Sequence, residues 1–468
     1  MEGGAIPMST SRNEQLISYD RDAFFHPFTA LKAHEQTGPK IFHSGKGSTL
    51  TDVDGNKYLD ALAGLWCVNI GYGNTRMAAA MKEQVETLSY YHSFASMGTE
   101  AAAELSERLI RRSPVPMSKV FFGNSGSDAN DTQAKIVWFY NNALGRPLKK
   151  KLISRTRGYH GVTVLSAGLT GLNNLHAGFD LPLPMIRHTR PPHRLWEAEP
   201  GMTDLEFSAA LAKDLEDLIL KEGPETVAAF IAEPLQAAGG VLIPPQGYFA
   251  AIQRVLDKYD VLLIADEVVT AFGRLGVDFG TTFFGMNPDL ITVAKGITSA
   301  YVPLSACIVS EKIWRVLVNA GDKLGVFGHG YTYSAHPLAT RSAMTNLDII
   351  EEDGLIEQAA RSGVYLQEKL RAVFTDHPLV GEVRGVGLIG AVEFVESKAP
   401  LKAFDPSEKI GVRIARRSME LGVITRALPA ADTIAFSPPF VVTESELDVM
   451  VETTRKAVDQ IAAEIGRR

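Results

Sequence analysis

The stretch "DLITVAKGIT", Asp289 to Thr298, is an apolar, β-branched run that ends in a lysine and a glycine. A short run of this kind reads as a strand buried on both faces. A lysine closing it is expected to be nearly buried, which is costly for an ammonium unless something uses it. Further short apolar runs, "SKVFFG", "KKLISR", "AAFIAEP", "VLLIADE" and "SACIVS", fall between residues 118 and 310, with helical patterns between several of them. Strands alternating with helices predict a mostly parallel α/β sheet covered on both faces.

Outside this block the pattern changes. Residues 1–40 carry "FFHPFTALKAHEQTGP", which reads as a short helix and turns. "TLTDVDGNKYLDAL" places the turn signal Asp54-Gly55 between two alternating segments, a hairpin. "TRMAAAMKEQVETLSYY" and "TEAAAELSERLIRR" have helical periodicity. After residue 335 come a helix to about Asp353, a second at 355–375, the segment "VRGVGLIGAVEF", and helices at 406–421 and 443–465. The expected division is an N-terminal segment 1–75 that joins a small domain, a large α/β domain 76–335, and a C-terminal α+β domain 336–468.

The chain has 468 residues, 45% apolar and 22% charged, with net charge −7 and interspersed signs. That is ordinary globular composition, long enough for more than one core. No basic run suggests nucleic acid, and no apolar run is long enough to span a bilayer. The N-terminus lacks a basic-then-apolar signal pattern, and "MEGGAIPM", with its second Met, is compatible with a tag remnant. Two distant cysteines, Cys67 and Cys307, make no disulfide framework, so a reducing cytoplasm is the expected location.

Four features carry chemistry. In "VFFGNSGSDANDTQAKIVWFY" a strand leads through Gly123-Asn124-Ser125-Gly126-Ser127 into a helix. Free amides at a helix start, with glycine and serine beside them, make a phosphate cup; the plainer reading is a capped βα turn. In "LLIADEVVTAFGR", Asp266 ends a buried strand and needs a cationic partner, whereas Glu267 reads as structural. Lys295 ends another strand on the same edge. It is either a structural partner of Asp266 or an amine whose pKa is lowered by burial, nucleophilic toward an aldehyde. Tyr159, in "RGYHGVT", could lay its ring over a flat ligand; taken alone it reads as a core tyrosine.

Two glycine patterns mislead. "GVGLIG", Gly385 to Gly390, matches the dinucleotide fingerprint but runs into the alternating "AVEF", where that fingerprint needs a helix. "GKGST" lacks the spacing of a nucleotide-binding loop. The eleven histidines show no metal-ligand spacing beside carboxylates, so no metal is expected.

A phosphate cup, an aromatic platform, a carboxylate and a lysine thus fall at strand ends in this order. Together they can hold pyridoxal phosphate by its phosphate, ring face, ring nitrogen and aldehyde. With these motifs the chain resembles the class III pyridoxal-phosphate aminotransferases of fold type I, and among them the pyruvate-dependent ω-transaminases. The resemblance runs from "IFHSGKGSTLTDVDGNKYLDALAGLWCVNIGYG" through "FFGNSGSDAN", "GYHG", "AEPLQAAGGV", "AKG" and "GYTYSAHP". It implies a seven-stranded, mostly parallel sheet flanked by helices, plus a smaller α+β domain. Lys295 would join the cofactor aldehyde and carry the proton, and Asp266 would keep the ring nitrogen protonated. Tyr159 and Val268 would cover the two ring faces. Ser125, Gly126 and Ser127 would hold the phosphate, with Thr332 reaching the phosphate of a neighbouring subunit. His160 and Glu233 would complete the cofactor site.

The resemblance also implies a homodimer or homotetramer with its active site at the interface, and a ping-pong reaction through pyridoxamine phosphate. Trp66, Phe94 and Tyr159 match the aromatic wall of the substrate pocket, and Arg426 matches a mobile arginine that pairs with a substrate carboxylate. The plainer reading of Arg426 is a surface ion pair. Two departures bear on substrate. Ornithine and γ-aminobutyrate aminotransferases carry Gln where Val269 stands and Glu where Ala238 stands. The roomier pocket favours β-alanine, taurine or arylalkylamine donors with pyruvate. An aminomutase or amino-acid racemase would use the same Lys295 and Asp266. A non-catalytic binding protein on the same fold would have no need of them.

Overall fold

The structure, a computed structural model, describes residues 11–467, so "MEGGAIPM" lies outside the described residues. Helices Arg12–Ala23 and Leu31–Thr37 precede the first strands. Strands β1 (Phe42–Lys46), β2 (Thr49–Asp52) and β3 (Lys57–Asp60) form an antiparallel ribbon, and the hairpin expected at Asp54-Gly55 joins β2 to β3. Asp52 holds that turn, accepting from the amides of Asp54 and Asn56 at 3.0 and 2.9 Å.

The central sheet contains β4 (Lys119–Gly123), β5 (Lys151–Arg155), β6 (Ile186–Thr189), β7 (Val227–Ala232), β8 (Leu262–Asp266), β9 (Leu290–Val293) and β10 (Ser305–Val309). Its order is β4-β10-β9-β8-β7-β5-β6. All pairs are parallel except those of β10, which runs antiparallel to both β4 and β9. Every residue of β7, β8 and β9 is buried, as strands covered on both faces require. The sequence runs miss β6: "IRHT" puts an arginine and a histidine into four residues and so has no apolar signature. The helix expected to continue through "SYY" stops at Thr87.

The two ends of the chain meet in smaller sheets. Strand β11 (Val380–Val386) pairs with β12 (Ile389–Phe394), so "GVGLIG" is a hairpin, with Gly385 opposite Gly390. Gly387, at the turn, has φ +55, and a Cβ there would lie 2.5 Å from Leu275 Cα. These glycines serve close packing. Then follow β13 (Ser397–Lys398) with β14 (Leu401–Lys402), β15 (Val423–Ile424), β16 (Arg426–Ala427) and β17 (Thr433–Phe436). Strand β15 pairs in parallel with β3, and β17 lies between β12 and β16. The helix expected at 406–421 begins at Ile410, after a short 3-10 turn at Pro406–Glu408. Helix Pro337–Glu352 starts with a proline at its first position and buries Ala339, Ala343, Leu347 and Ile350 at helical spacing. Among the described residues, no helix is long and apolar enough to cross a membrane.

Candidate active site

The carboxyl ends of β7, β8 and β9 and the start of helix Gly126–Ala143 surround a cavity of about 230 Å³. Gly126, Ser127, Tyr159, Asp266, Val268 and Lys295 all line it.

The helix start is built for an anion. Ser125 is the N-cap, and its hydroxyl accepts from the Asp128 amide at 3.2 Å. Asp128 reaches back to accept from the Asn124 and Ser125 amides. This capping box leaves the Gly126 and Ser127 amides without a hydrogen-bond partner among the described residues. They are the donors a phosphate would take. Ser125 itself is exposed and does not line the cavity. Ser127 Oγ accepts from the Val162 amide at 3.1 Å, so its own proton is free to donate. Gly161 sits against this cup at φ +133, and a Cβ there would lie 2.6 Å from Ser127 Oγ.

Asp266 is 4% exposed and does not pair with Lys295. Its Oδ2 accepts from Asn130 Nδ2 and His160 Nδ1, each at 2.8 Å, and among the described residues its Oδ1 accepts only from the Val268 amide at 3.2 Å. Asn130 also donates to the His160 carbonyl at 2.7 Å and accepts from Thr292 Oγ1 at 2.9 Å. The carboxylate is therefore braced from behind, with one oxygen available on the cavity side. His160 acts through this brace. Asn130 was not anticipated, yet it stands one helical turn after Gly126, on the helix face that "SGSDAN" already presents to the site.

Lys295 is not the last residue of a strand. Strand β9 ends at Val293, and Lys295 opens a 3-10 turn with φ +49. A non-glycine residue in this region stores strain that surrounding bonds must hold. Here Asn346 Nδ2 donates to the carbonyls of Gly296 and Ile297, at 2.8 and 3.1 Å. The turn tips the side chain into the cavity, and Lys295 is largely buried there, as expected. Among the described residues it has no hydrogen bond or ion pair; its Nζ lies 5.5 Å from the centroid of the Trp66 ring. Burial lowers its pKa, against attraction from Cys67, Asp266 and Glu233. A partnerless lysine of lowered pKa suits attack on an aldehyde.

Glu233 is buried, and burial raises its pKa. Its two oxygens accept from the amides of Tyr159 and Ala237, both at 3.0 Å. It lines the cavity but spends its acceptors on pinning the Tyr159 turn to the loop that carries Ala238. Glu267 is structural, as expected: it is fully buried, and the hydroxyl of Thr270 and the amides of Gly280 and Thr281 donate to it. Glu267→Ala strands buried donors and is expected to cost about 2–4 kcal/mol, read as a lower chemical-denaturation midpoint.

Trp66, Ala238 and Arg426 line the cavity, but Phe94 does not. Phe94 is 48% exposed and lies against Gly330, while Thr332 nearby is also exposed and outside the cavity. The two loops are tied by Tyr90 Oη, which donates to the Thr332 carbonyl at 2.8 Å. Arg426 forms no ion pair among the described residues, so the surface-pair reading fails; burial lowers its pKa. Phe28, Leu175 and Pro429 also line the cavity and belong to no motif that sequence spacing could expose. Among the described residues, two groups of possible metal-ligating side chains stand elsewhere, Asp20 with His26 and His34, and His193 with Glu382 and Glu393. In the second, Arg384 already bridges both carboxylates.

The residues present fit pyridoxal 5′-phosphate: two free amides and a hydroxyl, a braced carboxylate, an aromatic and an aliphatic face, and an unpaired amine. The family model for class III aminotransferases matches residues 31–458. An uncharacterized aminotransferase of Sinorhizobium fredii is 51% identical over 452 residues, which cover 96% of this chain and 97% of that one. A diaminobutyrate–2-oxoglutarate transaminase of Halomonas elongata is 49% identical over 460 residues, 97% of this chain and 98% of that one. The ω-transaminase of Pseudomonas jessenii, solved in complex with PMP, superimposes with a TM-score of 0.94 at 46% identity and covers 98% of this chain and 99% of its own. Site geometry and comparisons agree over nearly the full length: this chain belongs to the class III aminotransferases, which work with pyridoxal 5′-phosphate.

Proposed function

We propose that the protein moves an amino group from a primary amine or ω-amino acid, of the β-alanine, taurine or arylalkylamine type, to pyruvate. The observation that carries this reading is Arg426, a guanidinium at the cavity with no carboxylate to hold it among the described residues. Ala238, at the position where the resemblance to ornithine and γ-aminobutyrate aminotransferases implies a Glu, lines the same cavity and brings no carboxylate to it. A free guanidinium can take a substrate carboxylate in a bidentate pair and can turn aside for an uncharged donor.

Bound in the cavity, pyridoxal 5′-phosphate supplies an electron sink conjugated to the substrate nitrogen. The chain supplies the rest. The Gly126 and Ser127 amides would hold the phosphate, and Asp266, braced by Asn130 and His160, would keep the ring nitrogen protonated. Tyr159 and Val268 would cover the ring faces. Lys295, the unpaired amine at the cavity, would move a proton at the substrate carbon. We place Thr332, and with it Phe94, at the cavity of a second copy, since both lie outside their own chain's cavity, and propose an active assembly of at least a homodimer; light scattering on the holoenzyme checks this.

The acceptor is the point most open to test, because the Halomonas relative is named for 2-oxoglutarate. A donor panel run with pyruvate and with 2-oxoglutarate decides it. A clear preference for 2-oxoglutarate with ornithine would sink the reading, and turnover without any keto acid would point to an aminomutase or racemase. Arg426→Ala is expected to lower donor kcat/KM for β-alanine about 10- to 100-fold and to spare an uncharged arylalkylamine. Equal loss for both donors would remove Arg426 from carboxylate recognition.

A further inference from the structure

We infer that Glu393 is a positioning residue of the active site: through Arg384, and through His193 with Arg157, it holds the Ala238 loop and the Tyr159 turn in their places at the cavity. Glu393 stands on β12 and is 1% exposed. Its Oε1 accepts from Trp196 Nε1 at 2.6 Å, and its Oε2 accepts from His193 Nε2 at 3.0 Å. Arg384 Nη2 lies 2.6 Å from the same Oε2, an ion pair off the hydrogen-bond line, and Arg384 Nη1 pairs with Glu382 at 2.6 Å. All of these contacts lie inside one chain.

Two arms run from this carboxylate to the cavity. Arg384 Nε donates to the Gly240 carbonyl at 2.8 Å, two residues beyond Ala238. His193 Nδ1 meets Arg157 Nη1, two residues before Tyr159. A guanidinium offers only N–H groups, so Nδ1 accepts, and Nε2 carries the proton that it shares with Glu393. His193 is therefore neutral, and burial lowers its pKa against the pull of Glu393. Burial raises the pKa of Glu393, but His193 and Arg384 outweigh it and hold the carboxyl well below its ordinary range. Loss of a buried, paired charge strands its partners.

Arg157 needs such a hold. Its φ is +64, in the region where a non-glycine residue stores strain. Its Nε and Nη2 are buried without a hydrogen-bond partner, so among the described residues the bond to His193 is the one its side chain makes. Its carbonyl lies against Gly239, where a Cβ would clash with it, so the turn and the loop are in direct contact. Glu233 accepts from the Tyr159 amide, and Gln236 Nε2 donates to the Thr156 carbonyl at 2.9 Å. These bonds join turn to loop, and the arms from Glu393 anchor the joined pair to β11 and β12. The Tyr159 ring is then in place before a cofactor ring arrives, which spares the ordering cost of binding.

The test uses the full chain loaded with pyridoxamine 5′-phosphate, the cofactor form that has no covalent link to Lys295. Its release on dialysis and the circular dichroism of the bound ring are followed together. In Glu393→Gln a single amide oxygen faces the three donors that share the carboxylate, so release is expected to quicken about tenfold and the ring signal to weaken. Arg157→Asn keeps the backbone, since asparagine tolerates positive φ, and removes only the bond to His193. It is expected to quicken release about threefold at an unchanged denaturation midpoint. Wild-type release and ring signal in either variant, even beside a lowered denaturation midpoint, overturns the inference and leaves the cluster as a brace of the fold. Should Glu393→Gln not fold, Arg157→Asn alone decides. No donor or acceptor enters the measurement, so its outcome is independent of the function proposed above.

Discussion

Lys295→Ala is expected to yield a protein that still takes up pyridoxal 5′-phosphate and no longer transaminates. The substitution removes a side chain with no hydrogen bond or ion pair among the described residues, so it orphans no buried partner. Alanine meets the same φ of +49, and the Asn346 bonds that hold the turn remain. The phosphate amides at Gly126 and Ser127 and the braced Asp266 are untouched, so binding persists, weakened by loss of the covalent link. What disappears is the amine that carries the proton, and the expected loss is about ten-thousandfold in kcat. Borohydride treatment checks the assignment apart from rate: the wild-type chain should gain the mass of the reduced cofactor, and Lys295→Ala should not. Partial recovery with added methylamine would mark the missing group as a base. Near-normal turnover would refute the role.

The fold was legible wherever burial leaves a composition signature. Strands β7, β8 and β9 are covered on both faces and read as unbroken apolar runs, and they carry Asp266 and lead into Lys295. Strand β6 is paired on one side only, and its Arg187 and His188 hide it. The site was legible where backbone chemistry sets spacing: cap, glycine and serine at 123–127 had to lie at a helix start. It was opaque where the fold brings distant residues together. Nothing near Asp266 in sequence announces that Asn130 and His160 will share its Oδ2. Lys295 shows both sides of this limit. The apolar run located it, but the residue lies two positions past the strand, in a strained turn that aims it into the cavity. Phe94 falls outside its own chain's cavity, where the sequence placed it, whereas Thr332, expected at a neighbouring subunit's phosphate, has no need of a place there.

Asp266→Asn should be the second severe lesion, for a reason the local bonds make specific. In the wild type, Oδ2 already takes two donors, Asn130 Nδ2 and His160 Nδ1. An asparagine must keep its single oxygen there, because its amide nitrogen would oppose both donors. The nitrogen then occupies the Oδ1 position, facing the Val268 amide and the cavity. A carboxylate oxygen that stabilises a protonated ring nitrogen has become an N–H donor, which favours the unprotonated ring and weakens the electron sink. The side chain keeps its volume and two of its three bonds, so the fold and cofactor content should survive. Loss of a buried charge aimed at the reacting system is expected to lower kcat about a hundredfold to a thousandfold. Two readouts separate this from a folding defect: cofactor content should stay near that of the wild type, and the visible band of the bound cofactor should shift. His160→Ala offers a graded comparison, since it removes one brace and leaves the carboxylate; it should lower kcat less than Asp266→Asn. If Asp266→Asn retained full activity with bound cofactor, the carboxylate would be a structural partner of Asn130 and His160 alone, and its assignment to the ring nitrogen would fall.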